Sequence, residues 1–169
     1  MWNKTQKLTR SGLLTALSCV LIFMTSFMPT MDLTVTAIAG LITAVTMIHC
    51  GVSYSISMYA ATSIISLIIL PNKSMAILYT AFLGYYPILK SYFERFKKRY
   101  VQWILKLLNF NLIFYVLWIF AREMLAGELP PVRGIMIISQ LVLNAVFVVY
   151  DIAAARLISL YLRKFSKLL

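Results

Sequence analysis

The residues best able to do chemistry in this chain are amides and aromatics set at helical spacing inside apolar sequence. Asn111, Tyr115, Trp118 and Arg122 follow at intervals of 4, 3 and 4, which places all four on one face of a helix. Gln140, Asn144 and Asp151 share a face of a later helix, with Phe147 between them. If those helices run in opposite directions, a rise of about 1.5 Å per residue brings Asn111 and Asn144 to similar depth, roughly 15 Å below the outer ends. Amides, an aromatic wall and an Arg at the mouth suit recognition of a small polar molecule. The same residues also suit a plainer use, interhelical hydrogen bonding with Trp118 as an interface anchor. Asp151 lies some 24 Å below the start of its helix by the same rise, near the depth of Lys106 and Lys90. An ion pair with one of those lysines is expected over a proton relay, which needs more than one titratable group at depth.

Bond-making chemistry is not indicated. The sequence has no GxSxG, HExxH, phosphate-binding loop or paired-carboxylate spacing, and its five acidic residues are scattered. Cys19 and Cys50 lack CxxC or CxxH spacing, and His49 has no second ligand near it in sequence. The chain therefore reads as a non-enzyme without catalytic residues, metal or cofactor. Without a nucleotide-binding motif, any uphill transport must draw energy from another subunit or an ion gradient.

The elements that must position these residues are membrane spans. Of 169 residues, 62% are hydrophobic and 12% charged, and the mean hydropathy is +0.87. A soluble domain of this size cannot bury so much apolar surface. About 20 apolar residues cross the hydrocarbon core, and six stretches approach or reach that length: Ser11 to Met28, Leu33 to Ile48, Gly51 to Leu70, Met75 to Phe93, Trp103 to Ala121 and Ile135 to Leu157. The expected fold is an all-α integral membrane protein, one six-helix domain over 1–169. A signal peptide ending at Ala37-Ile38-Ala39 is the weaker reading of the first span, because cleavage there would cut the second in half.

The net charge of +11 reads as topology. Lys4, Lys7, Arg10, Lys90, Arg95, Lys97, Lys98, Arg99, Arg156, Arg163, Lys164 and Lys167 fall on one side of the six-span arrangement, against Lys73, Arg122 and Arg133 on the other. Retained loops carry the positive excess, so both termini are expected in the cytoplasm of a multi-pass plasma-membrane protein. The basic ends suit anionic lipid. Nucleic acid is not expected, since a nucleic-acid binder gathers its cations on a soluble face.

Gly12, Thr15, Ala16 and Cys19 form a stripe of small side chains on the first span, open to internal packing or to docking of a partner membrane protein. The hydroxyls of spans two and three, among them Thr36, Thr43, Thr46, Ser55, Thr62 and Ser66, read as packing residues that bond back to their own backbone.

The opening Lys7-Leu8-Thr9-Arg10-Ser11-Gly12-Leu13-Leu14-Thr15-Ala16-Leu17 resembles the basic start and Ala-rich first helix of the substrate-binding S components of energy-coupling factor transporters. The turn with Met28-Pro29 and Asp32 is similar to the first external loop of riboflavin-type members. The resemblance implies a vitamin-like micronutrient held near the external side, among the later helices and the Asp32 loop. It also implies a transmembrane coupling subunit and ATPase subunits as partners, docked where the family carries AxxxA and this chain carries Gly12 and Ala16. From other classes, a non-transporting membrane scaffold and a small ion-coupled transporter remain alternatives, the latter disfavoured by the lack of mid-bilayer carboxylates.

Overall fold

Long apolar runs form helices here, and Pro and Gly residues bend or end them. A computed structural model describes residues 3–27, 30–71, 73–124 and 133–165, without the side chains of 120–124, 133–139 and 165. The elements are α1 (Lys4–Met24), α2 (Asp32–Cys50), α3 (Val52–Ile69), α4 (Lys73–Leu78), a π-helical turn (Tyr79–Leu83), α5 (Tyr86–Phe93), α6 (Arg99–Met124) and α7 (Arg133–Phe165). No strand occurs among the described residues. Among the described residues five helical stretches, Lys4–Met24, Asp32–Cys50, Val52–Ile69, Arg99–Ile119 and Gln140–Lys164, are long and apolar enough to cross a membrane, as in a multi-pass membrane protein. The Met28-Pro29 turn and the Pro130-Pro131 segment lie outside the described residues.

The helices sort into two compact units, Met1–Lys97 and Lys98–Leu169. In the first, small and hydroxylated residues form the buried faces. Ser11, Ser18 and Ile22 of α1 are buried, as are Thr36, Ala39, Gly40, Thr43 and Thr46 of α2 and Ser55, Met58, Thr62 and Ser66 of α3. Several hydroxyls donate back along their own helix, Thr36 to Asp32 O at 2.7 Å, Thr46 to Ile42 O at 3.0 Å and Ser55 to Gly51 O at 3.1 Å. They thereby satisfy themselves and leave their small volume for close packing. One residue separates α2 from α3. It is Gly51, whose φ of 97° is a conformation that side chains with a Cβ rarely adopt.

The fourth expected crossing, Met75 to Phe93, is not one uninterrupted helix. It consists of α4, the π-helical turn and α5. Pro87, in the first turn of α5, has no N–H to give the Leu83 carbonyl, so regular helix cannot run through it. Just before it, the Gly84 N–H donates to Tyr79 O at 2.8 Å, five residues back. The Thr80 carbonyl takes instead the hydroxyl of Tyr59 from α3 at 2.7 Å. The Tyr79 and Thr43 hydroxyls are 3.3 Å apart, tying the π-helical turn to α2. A Cβ added at Gly40 would sit 2.5 Å from the Leu83 carbonyl oxygen, so α2 and the turn touch backbone to backbone.

The second unit is the pair α6 and α7. At about 1.5 Å per residue, the 33 residues of α7 extend about 50 Å, beyond the roughly 30 Å hydrocarbon core.

Gly40 and Gly12 separate these kinds of packing. Gly40→Ala should destabilise the protein by about 1–3 kcal/mol, because a backbone atom stands where the methyl must go. Gly12 has nothing within 4 Å of an added Cβ, so Gly12→Ala should be neutral or stabilising by up to about 1 kcal/mol through helix propensity. Thermal unfolding of both variants in detergent checks this, and equal losses would contradict it.

Candidate functional site

On α7, Gln140, Asn144, Phe147, Asp151 and Ala154 recur at intervals of 4, 3, 4 and 3, the spacing of a helix seam. Phe147, Asp151 and Ala154 are buried. Their neighbours on antiparallel α6 descend in step. Lys106 Nζ donates to Asp151 Oδ2 at 2.8 Å, the Phe110 and Phe147 rings stack with centroids 4.6 Å apart, and Asn111 meets Asn144.

The ion pair is the deepest-buried polar contact of this seam, with side chains 5% and 3% exposed. Lys106 is thus the partner of Asp151, and its ammonium also lies 5.4 Å from the Trp103 ring centroid. Lys90, the other lysine at the expected depth, pairs with Glu94 at 3.4 Å within the first unit. Two opposite charges buried together satisfy each other, whereas one alone would be strongly penalised.

About 8 Å further along α6, by helical rise, stands the amide cluster. The Asn111 Nδ2 donates to Asn144 Oδ1 at 3.1 Å and to its own Leu107 carbonyl at 2.7 Å. In return Asn111 Oδ1 accepts from Asn144 Nδ2 at 3.1 Å and from Gln140 Nε2. Asn144 Nδ2 also donates to the Gln140 carbonyl at 2.9 Å. Asn111 and Asn144, expected at similar depth, are therefore bonded directly to each other, and Gln140, one turn away on α7, joins them.

The rest of the expected set divides. Trp118 lies one turn beyond Phe114, with ring centroids 6.3 Å apart, and its indole N–H is buried without a hydrogen-bond partner. Tyr115 is 66% exposed and does not join the seam. The physical reason is rotational: Phe110, which stacks on α7, precedes Asn111 by 100°, so Asn111 is at one edge of the buried face and Tyr115 is turned a further 40° outward. Arg122 belongs to α6, but its side chain lies outside the described residues. Asp32 begins α2 in the first unit, where its Oδ1 is buried without a hydrogen-bond partner and its charge suits the helix N-terminus.

On α1, Gly12 and Ala16 are exposed while Thr15 and Cys19 are half-buried. The small stripe thus lies along the margin of the packed face, and its two smallest residues are uncovered. Sequence reasoning missed the Phe110–Phe147 stack and the Tyr59–Thr80 contact. The first was signalled by Phe147 at a seam position, the second by Pro87 shortly after Gly84.

Amides and an indole can recognise a solute by hydrogen bonds and ring contact but supply neither nucleophile nor general base. Among the described residues, no group of three His, Cys, Asp or Glu side chains could hold a metal ion. Set beside models of known protein families, curated proteins and solved structures, the chain matches none.

The seam makes one energetic prediction. Asp151→Asn should cost about 3–5 kcal/mol by stranding the Lys106 charge, and pairing it with Lys106→Met should recover most of that loss. Unfolding of the single and double variants measures the coupling; additive losses would contradict it.

Proposed function

We propose that the chain is the substrate-capture subunit of an uptake transporter for a vitamin-like micronutrient, energised by a separate coupling subunit and ATPase subunits. In this reading it crosses the plasma membrane six times. The α4, π-helical turn and α5 run provides the fourth crossing, and both termini are cytoplasmic. The observation that carries the reading is the Trp118 N–H, a buried donor without a partner on the helix that holds Asn111. An orphaned donor of this kind costs about 1–3 kcal/mol, which a solute bearing a hydrogen-bond acceptor would remove. The resemblance of the first helix to S components supports the same assignment, and the uncovered Gly12 and Ala16 on α1 leave room for a partner helix.

A second reading, a non-transporting assembly subunit, is favoured by one feature: the three amides already satisfy one another and Tyr115 faces outward. Such a subunit would use α1 for docking and have no ligand at Trp118.

Two substitutions separate the readings. Trp118→Phe keeps a ring but removes the N–H. It should weaken binding of a micronutrient identified by ligand screening on the purified chain about ten- to a hundredfold, with folding retained. Gly12→Leu with Ala16→Leu should abolish co-purification of the coupling subunit while leaving binding by the isolated chain intact. No saturable binding to the native protein, with partners still lost on the α1 substitution, would favour the assembly subunit. Binding unaffected by Trp118→Phe would overturn the proposed site.

A further inference from the structure

We propose that the basic end of the α6–α7 hairpin is a binding surface for anionic phospholipid. This inference is independent of the capture reading and requires only that the hairpin lie in a membrane. The seam fixes which residues come level. With Lys106 on Asp151, Phe110 on Phe147 and Asn111 on Asn144, continuing the antiparallel register brings Arg99 level with about position 158. Lys98 and Arg99 at the start of α6 therefore join Arg156, Arg163 and Lys164 near the end of α7. All five cations are exposed. From Arg156 to Lys164 the helix rises about 12 Å, so the cations form a band about that deep at one end of the hairpin.

Charge and polarity both match a lipid surface. Asp151, the one acidic side chain described in this unit, is already paired with Lys106 and buried, so it does not neutralise the band. The ion pair lies about 10 Å, seven residues of helix, further in than Arg99. This depth sets the band at the headgroup level when the pair sits in hydrocarbon. Tyr100 is 59% exposed with Lys98 Nζ 5.7 Å from its ring centroid, an amphipathic ring of the kind that settles at a membrane interface. Ile104, Leu157 and Leu160 are also exposed and offer acyl chains an apolar surface next to the cations. A soluble anion would use the charges but not this surface. An anionic phospholipid uses both.

The test reads Trp103, one helical turn from Arg99, in a full-length chain carrying Trp2→Phe and Trp118→Phe. The protein is reconstituted in phosphatidylcholine vesicles containing either brominated phosphatidylglycerol or an equal fraction of brominated phosphatidylcholine. The expected result is stronger quenching by phosphatidylglycerol, weakening as salt is raised. Arg99→Gln together with Arg156→Gln should lower the preference by up to about twenty-five-fold, since each cation near an anionic surface contributes about a fivefold factor. Arg99→Lys with Arg156→Lys should keep it, and circular dichroism verifies that each variant is folded. Equal quenching of the unsubstituted band by both lipids would overturn the proposal. So would full loss of the preference on adding soluble glycerol phosphate at low concentration, which would mark a site for the free anion.

Discussion

Polar groups placed among these apolar helices gain by finding partners within the protein, because hydrocarbon offers none. That constraint explains the buried contacts of both units. In the first, the π-helical turn redirects the Gly84 N–H to Tyr79 O, and the Tyr59 hydroxyl takes the Thr80 carbonyl. In the second, Lys106 and Asp151 neutralise one another and Asn111, Asn144 and Gln140 share their hydrogen bonds. Packing adapts to these partnerships. Gly40 lets α2 reach the turn, and the stacked Phe110 and Phe147 fill the seam between the ion pair and the amides.

Much of this was legible in the sequence because depth along a helix follows directly from residue number. The coincidence of Asn111 with Asn144, and of Asp151 with a lysine, needs only a rise per residue and an antiparallel arrangement. Five of the expected spans correspond to helices long and apolar enough to cross a membrane. Rotation was less legible. Intervals of 4, 3 and 4 grouped Tyr115 with Asn111, yet which part of that arc faces α7 is set by Phe110, Phe147 and the ion pair. The break at Tyr79–Leu83 was hidden for a related reason. Pro87 announces an interruption, but the π-helical form depends on a tyrosine from another helix accepting the role of donor.

The polar seam is compatible with two kinds of membrane subunit, and its details divide between them. Mutually bonded amides stabilise a helix pair without any ligand, as an assembly protein requires. The indole of Trp118 is a donor buried without an acceptor in this seam, as the hydroxyls of Ser18, Thr62, Ser63 and Ser66 also are in the first unit. In the capture reading a solute's acceptor would meet that donor, while the uncovered small residues of α1 suit a partner in either case.

The most direct measurement is native mass spectrometry of the protein released gently from its own membrane. A substrate-capture role predicts a complex in which this chain is joined by a coupling subunit and ATP-hydrolysing subunits, with a small-molecule mass retained on the chain after the complex is dissociated. A chain that carries no small molecule, and whose partners include no ATP-hydrolysing subunit, would contradict it.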